Sequence, residues 1–198
     1  MEDEVKNQRR APLTRQEILE AGITLADSEG LAAVTMRRLG ELLGVEAMSL
    51  YRHVKNKQDV LDGMASLLVA GMQPAVAASE ASWQQVVFQF ARAYRRLIVE
   101  HPAVFMAQAG RALVLDENQT ALHRIIDTLT AAGFSRGDAM DIYLAGTSYA
   151  RGFALTDLAH AQTATPLDGF DTDRAFERGL DVLAAGFEQV RMSRHPVE

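Results

Sequence analysis

Apolar residues recur at three- and four-residue spacing along almost the whole chain, and no stretch alternates with a period of two between turn signals. The pattern predicts an all-α protein. A first helix starts at Thr14, which caps it, and Glu17 completes a capping box. Its apolar stripe is Ile18, Ala21, Leu25 and Ala26, and Gly30 closes it. Thr35 caps a short second helix through Leu43, with Met36, Leu39, Leu42 and Leu43 facing inward. Gly44 and Val45 make a turn, a third short helix is predicted over 46–53, and Asn56 caps a longer one from Lys57 toward Met72, where Pro74 stops it. An alanine-rich connection over 73–82 leads to further helices predicted over 82–100, 102–113, 116–132, 136–160 and 171–192. The five prolines, at 12, 74, 102, 166 and 196, all fall at or between these segments.

The two short helices around Gly44 form the most informative stretch. Neither is long enough to persist alone, so each must bury its apolar face against a neighbour. Leu39, Leu43, Val45, Leu50 and Val54 supply that small core, which leaves Ala47, Met48, Ser49, Arg52 and His53 on the opposite face of the third helix. Between residues 35 and 57, Arg37, Arg38, Arg52, Lys55 and Lys57 stand against Glu41 and Glu46, a net of +3. The whole chain carries -6, so the remainder holds -9. A basic island on an acidic protein is what a local phosphate-binding face requires, and the acidic total excludes affinity for nucleic acid over the whole surface.

Other chemistry is poorly represented. There is no cysteine, which excludes disulfides and thiolate metal sites, and no apolar run approaches the roughly 20 residues of a membrane span. The first ten residues read as a mobile arm without the apolar core of a signal peptide, so the expected location is the cytoplasm. No metal-spaced cluster, glycine-rich phosphate loop or nucleophile–base order stands out. Glu100, His101 and Asp157 can be grouped on paper without any special spacing, and His123 and His160 stand isolated, so neither an enzyme nor a cofactor or metal site is expected.

The run Thr35 to Lys57, and above all Ser49-Leu50-Tyr51-Arg52-His53-Val54-Lys55-Asn56-Lys57, resembles the DNA-binding signature of the TetR family of regulators. The C-terminal part is similar to the tetracycline-repressor type of domain through Ser82-Trp83-Gln84, Gly133-Phe134-Ser135, Ala175-Phe176, Gly179-Leu180 and Gly186-Phe187-Glu188. The resemblance implies a three-helix DNA-binding domain over 1–57 and an effector-binding and dimerisation domain over 58–198. It assigns DNA contacts to Thr35, Arg37, Ala47, Met48, Ser49, Tyr51, Arg52, His53 and Lys57. Arg37 matches a base-reading arginine, whose fork suits guanine. Ala47 and Met48 begin the recognition helix, while Ser49, Tyr51, His53 and Lys57 match backbone- or base-contacting positions. Arg38 is expected on a solvated face, and Tyr51 divides between a packing role and a phosphate bond.

In the C-terminal part, the resemblance places Gln73, Phe90, Tyr94 and Ile125 at drug-contacting positions, and with Met106, Met140, Tyr143 and Phe153 they are the candidate wall residues for a small effector. The positions that match magnesium–drug ligands in the tetracycline-repressor type fall near Ala109 and at Thr156, neither of which suits a metal. A mostly apolar or aromatic effector without a metal is therefore expected. Small residues in the last two helices (Ala145, Gly146, Ala150, Gly152, Ala154, Ala184, Ala185 and Gly186) imply, by resemblance, close packing against a second copy and a homodimer on a pseudo-palindromic double-stranded operator. Repression fits a family of steric repressors, but the residues leave activation open, and a helical enzyme is the more distant rival.

Overall fold

The computed structural model describes residues 12–72, 82–107, 120–162 and 171–194. The regular elements among them are helical: α1 (Arg15–Glu29), a 3₁₀ turn (Leu31–Ala33), α2 (Met36–Leu43), α3 (Ala47–Leu50), α4 (Lys57–Gly71), α5 (Trp83–Glu100), α6 (Pro102–Met106), α7 (Thr120–Ala131), α8 (Arg136–Gln162) and α9 (Thr172–Arg194). The all-α expectation holds. The chain forms two compact units that divide at Leu67/Leu68, so α4 begins in the first and ends in the second. That division lies beyond residue 57 because the first half of α4 buries Val60, Leu61, Gly63 and Met64.

In unit 1 the local signals act as their chemistry dictates. Thr14 Oγ1 accepts from the Glu17 amide at 3.2 Å while Glu17 Oε2 accepts from the Thr14 amide at 2.8 Å, so two otherwise orphaned donors at the start of α1 are satisfied. Thr35 caps α2 by accepting from the Arg38 amide at 3.2 Å, and Gly44 ends it in the left-handed region at φ 61°, where a side chain is disfavoured. Leu39, Leu50 and Val54 are buried, each contributing about 1.5–3 kcal/mol to a small core.

Three expectations are corrected here. Leu42 is 51% exposed rather than inward. The contact stripe of α2 follows Leu39 and Gly40, and Leu42 lies about 100° round the helix from its centre. Leu43 and Val45 are half-buried at the edge of the core rather than inside it. The third helix is also shorter than 46–53. After Leu50 the chain continues in turns, with the His53 amide donating to the Leu50 carbonyl at 2.9 Å in the tighter i→i+3 pattern.

α4 starts where Asn56 Oδ1 accepts from the Asp59 amide at 2.9 Å, the expected cap. Asp59 then receives Arg15 Nη2 at 2.6 Å and Nη1 at 3.1 Å, and the Lys55 amide at 2.7 Å. The Arg15 guanidinium first, and the Lys55 amide after it, hold the Asp59 carboxyl below its ordinary 3.8. A depressed carboxyl binds fewer protons folded than unfolded, so its stabilisation is present above about pH 3.8 and fades as pH falls through the folded value. Arg15→Met should lower the urea midpoint near neutrality, and the gap to wild type should close as the pH is taken below that value. A gap that stays constant from pH 7 to pH 3 would contradict this account.

In unit 2, α5 runs past two apolar clusters. One gathers Trp83, Val87, Leu122, Ile126, Leu129, Phe134 and Ile142 from α5, α7, α8 and the turn before α8. Trp83 meets Phe134 edge-on with centroids 5.0 Å apart. The other gathers Ala91, Tyr94, Ile98, Phe105, Ala150, Ala154, Phe176 and Leu180, with Leu68, Val69 and Met72 at the end of α4 packed against it. Ser82 opens α5 with a second capping box through Gln85, and Ser135 and Asp171 cap α8 and α9. Gly146, Ala150, Ala154 and Ala184 are buried within the protomer, not on its surface. They admit neighbouring helices of the same chain; of the small residues named from sequence, Gly152, Ala185 and Gly186 are exposed.

Candidate nucleic-acid interface and effector site

The helix pair of unit 1 is fixed by a contact the sequence did not single out. A Cβ on Gly40 would lie 2.8 Å from the Val45 carbonyl oxygen and 3.3 Å from the Ala47 nitrogen, so the backbone of the turn rests on bare α2. The Val45 amide donates to the Gly40 carbonyl at 2.9 Å across the same contact. This sets the pose of α3 relative to α2, and with it the face that carries the expected contacts. Met48 is 75% exposed and Tyr51 46% exposed, while Arg37, Arg52 and Lys57 are exposed and Thr35, Ala47, Ser49 and His53 are half-buried. Tyr51 is thus on the surface and does not plug the core.

Charge sorts the cations of this face into two groups. Arg38 pairs with Glu29 at 2.7 Å and Glu41 at 3.1 Å, and Arg15 with Asp59, so these serve the fold. Arg37 has only a loose 3.7 Å contact with Glu41 and is 83% exposed, and Arg52, Lys55 and Lys57 make no ion pair among the described residues. A cluster of exposed cations with no carboxylate contact among the described residues beyond the loose one of Arg37, beside an apolar Met48 and a hydroxyl-bearing Tyr51, suits a phosphate-lined groove.

In unit 2 three of the expected wall residues, Phe90, Tyr94 and Tyr143, meet with Phe105 in an aromatic group between α5, α6 and α8. Phe90 stacks on Tyr94 with centroids 5.9 Å apart and meets Tyr143 at 5.7 Å, and Tyr94 meets Phe105 edge-on at 5.7 Å. Tyr94, Ile125 and Tyr143 are buried, and Phe90, Met140 and Phe153 are half-buried. Burial pushes the Tyr143 hydroxyl up to about 12, with Tyr94 adding to the rise and the nearby Arg151 charge opposing it. Met106 is 53% exposed and stands apart from the buried group. Phe153 belongs to an adjoining group, 4.9 Å from Tyr149 and 5.3 Å from Phe176. Gln73 and Ala109 lie outside the described residues; Thr156 is described, and its hydroxyl donates to the Gly152 carbonyl at 3.1 Å.

The family described as "Bacterial regulatory proteins, tetR family" matches residues 18–64, which span α1 to α4 and the exposed cationic face. An HTH-type transcriptional regulator of Saccharopolyspora erythraea is 30% identical over 91% of this chain and 87% of its own length. The chain belongs to the TetR family. Among solved structures, a single-residue variant of TetR from Acinetobacter baumannii AYE in complex with minocycline superposes with a TM-score of 0.76 at 28% identity, covering 90% of this chain and 98% of that one. BioQ with its natural double-stranded DNA operator superposes with a TM-score of 0.63 at 25% identity, covering 88% and 98%. TetR-family proteins are transcriptional regulators and not enzymes, which removes the rival reading as a helical enzyme.

In this TetR-family chain two half-buried arginines escaped the sequence reading. Arg95 on α5 has a side chain 11% exposed, forks onto Asp157 of α8 with both bonds at 2.7 Å, and reaches Asp173 of α9 at 2.8 Å. Its guanidinium lies 4.6 Å from the Phe176 ring centroid. Arg151 on α8 donates from Nη2 to the Tyr94 hydroxyl at 3.0 Å. A cation on a helix that carries other charges reads as surface until its partner, tens of residues away, is known. Gln89 on α5 adds a buried amide oxygen with no hydrogen-bond partner among the described residues.

Proposed function

We propose that the protein is a ligand-responsive repressor that binds a pseudo-palindromic operator as a homodimer and is released by a small, mostly apolar or aromatic effector without a metal. The observation that carries this reading is the exposed cationic face around α2, α3 and the start of α4, where Arg52, Lys55 and Lys57 make no ion pair among the described residues and Arg37 makes only a loose one. The operator in the BioQ complex and the minocycline in the TetR complex support DNA and effector as the two partners. A cytoplasmic location fits both.

The outer faces of α8 and α9 support a second copy as the third partner. Leu144, Leu155, Val182, Val190 and Met192 are exposed large apolar residues on these two helices, interleaved with exposed Gly152, Ala185 and Gly186. An apolar face broken by small residues suits close helix–helix packing about a two-fold axis. Two heads must then meet successive major grooves, roughly 34 Å apart. Because α4 passes from unit 1 into the cluster holding Tyr94 and Phe105, a ligand that repacks that cluster can bias the spacing of the heads. A full switch from 1:99 to 99:1 requires the ligand to favour the released form by about 10⁴-fold.

Selection of bound fragments from a randomised duplex pool tests the reading, since binding of no duplex at low ionic strength would remove it. On the selected site, Arg37→Ala should relax preference at one base pair, with about 1–3 kcal/mol of discrimination lost. Lys57→Ala should weaken all sequences alike and reduce the salt slope by about 1. Uniform losses from both variants would deny Arg37 its base-reading role.

A further inference from the structure

Two arginines of α5 meet neighbouring helices through carboxylates, Arg92 through Glu177 and Arg95 through Asp157 and Asp173, and Arg191 pairs with Glu188 on its own helix. Arg151 breaks that pattern. It is half-buried, and its one partner among the described residues is the neutral hydroxyl of Tyr94, 3.0 Å from Nη2. The surroundings of that hydroxyl are apolar and aromatic, since Tyr94 is 3% exposed and packed against Phe90 and Phe105. Arg151 also lies two turns along α8 from Tyr143, on the same stripe, and its charge reaches the Tyr143 hydroxyl.

A guanidinium has five N–H donors in a planar fork and remains charged at any pH a cell reaches. Here one donor is engaged, and no anion among the described residues offsets the charge. Accepting from Arg151 leaves the Tyr94 O–H free to donate, so two kinds of donor converge beside the stacked rings. The chain as a whole carries -6, so an acidic ligand gains nothing from the overall field and needs a local cation.

We propose that Arg151 receives the carboxylate of an aromatic acid whose ring packs on Phe90, Tyr94 and Tyr143, an inference that rests on the reading of unit 2 as the effector domain. The carboxylate takes the free edge of the guanidinium fork and the Tyr94 O–H, while the rings bury the rest of the molecule. The effector is then an anionic aromatic compound rather than a neutral one.

Titration calorimetry of the full-length protein at pH 7.5 tests this with matched probes: benzoate, 2-naphthoate and anthraquinone-2-carboxylate, each beside its methyl ester. The esters keep the ring and remove the charge. For the ring size that fits best, the acid should bind wild type about tenfold more tightly than its ester or better, which is about 1.4 kcal/mol. Arg151→Gln should bring acid and ester within about twofold of each other, and Arg151→Lys, with charge but no fork, should keep an intermediate preference. Equal affinities for acid and ester in wild type, or a preference that survives Arg151→Gln, would overturn the anion site while leaving the aromatic effector site standing. Binding of none of the six probes would overturn both. Should Arg151→Gln fail to fold, the wild-type ratio and Arg151→Lys still decide, because an undiminished preference in the lysine variant also counts against the fork.

Discussion

Gly40→Val should abolish operator binding while leaving unit 2 folded. The first atom of any side chain at position 40 would lie 2.8 Å from the Val45 carbonyl oxygen, and the next contacts are the nitrogen and Cα of Ala47, at 3.3 and 3.4 Å. These are backbone atoms, so no rotamer change relieves the clash, and α3 must move off α2. Overpacking of this kind costs about 1–3 kcal/mol, a large share for a unit that ends at Leu67. Affinity suffers more than stability does. Reading a groove requires Arg37 on α2 and Ala47, Met48 and Ser49 on α3 to meet one surface together, and the Val45–Gly40 hydrogen bond that registers them would be lost. Fluorescence anisotropy with the selected operator should show at least a hundredfold loss, roughly 2.7 kcal/mol, with Gly40→Ala falling between variant and wild type. Circular dichroism should show that most helix survives. Operator affinity within threefold of wild type in Gly40→Val would show that the turn does not set the pose of α3.

The contrast between Gly40 and Gly44 explains which parts of the molecule were legible in the sequence. Gly44 follows a helical stripe and precedes another, and its role is local, so its turn could be read directly. Thr14, Thr35 and Asn56 were legible for the same reason, because a cap bonds an amide only three residues on. Gly40 sits mid-helix, where glycine is a poor helix former, and nothing local says that a turn five residues later rests on it. The end of α3 was misplaced because residues 51–53 keep a helical polarity pattern while their hydrogen bonds have already shifted to i→i+3. Leu42 was misplaced because an apolar residue beside a stripe looks the same as one within it. In unit 2 the positions of Phe90 and Tyr94 could be read through the family resemblance. Their grouping with Tyr143 could not, since Phe90 and Tyr143 lie on different helices.

Loss of Arg95 should have the largest effect on the stability of unit 2. Its fork joins α5 to Asp157 on α8, 62 residues away in sequence, and both side chains are largely withdrawn from water, at 11% and 19% exposure. Hydrogen bonds to the paired Asp157 and Asp173 raise the guanidinium's already high pKa against the opposing cost of burial, so the charge persists across the accessible pH range. Arg95→Met keeps the apolar stem and strands Asp157, a half-buried carboxylate without its partner, at a cost toward the low end of the roughly 3–5 kcal/mol of a fully buried pair. Arg95→Lys should recover little, because an ammonium cannot form the two parallel bonds that the guanidinium makes to Asp157. Asp173 is 86% exposed, and Asp173→Asn should cost under about 1 kcal/mol. The informative variant is the double one, Arg95→Met with Asp157→Leu. If the damage in the single variant comes from a stranded charge, replacing both partners by apolar groups should restore most of the lost stability, because desolvation is then no longer incurred on either side. If it comes from lost packing against Phe153 and Phe176, the double variant should remain as weak as Arg95→Met. Guanidinium unfolding at one fixed protein concentration separates the two, and a cost below about 0.5 kcal/mol for Arg95→Met alone would show that the fork does not hold α8 and α9 against α5.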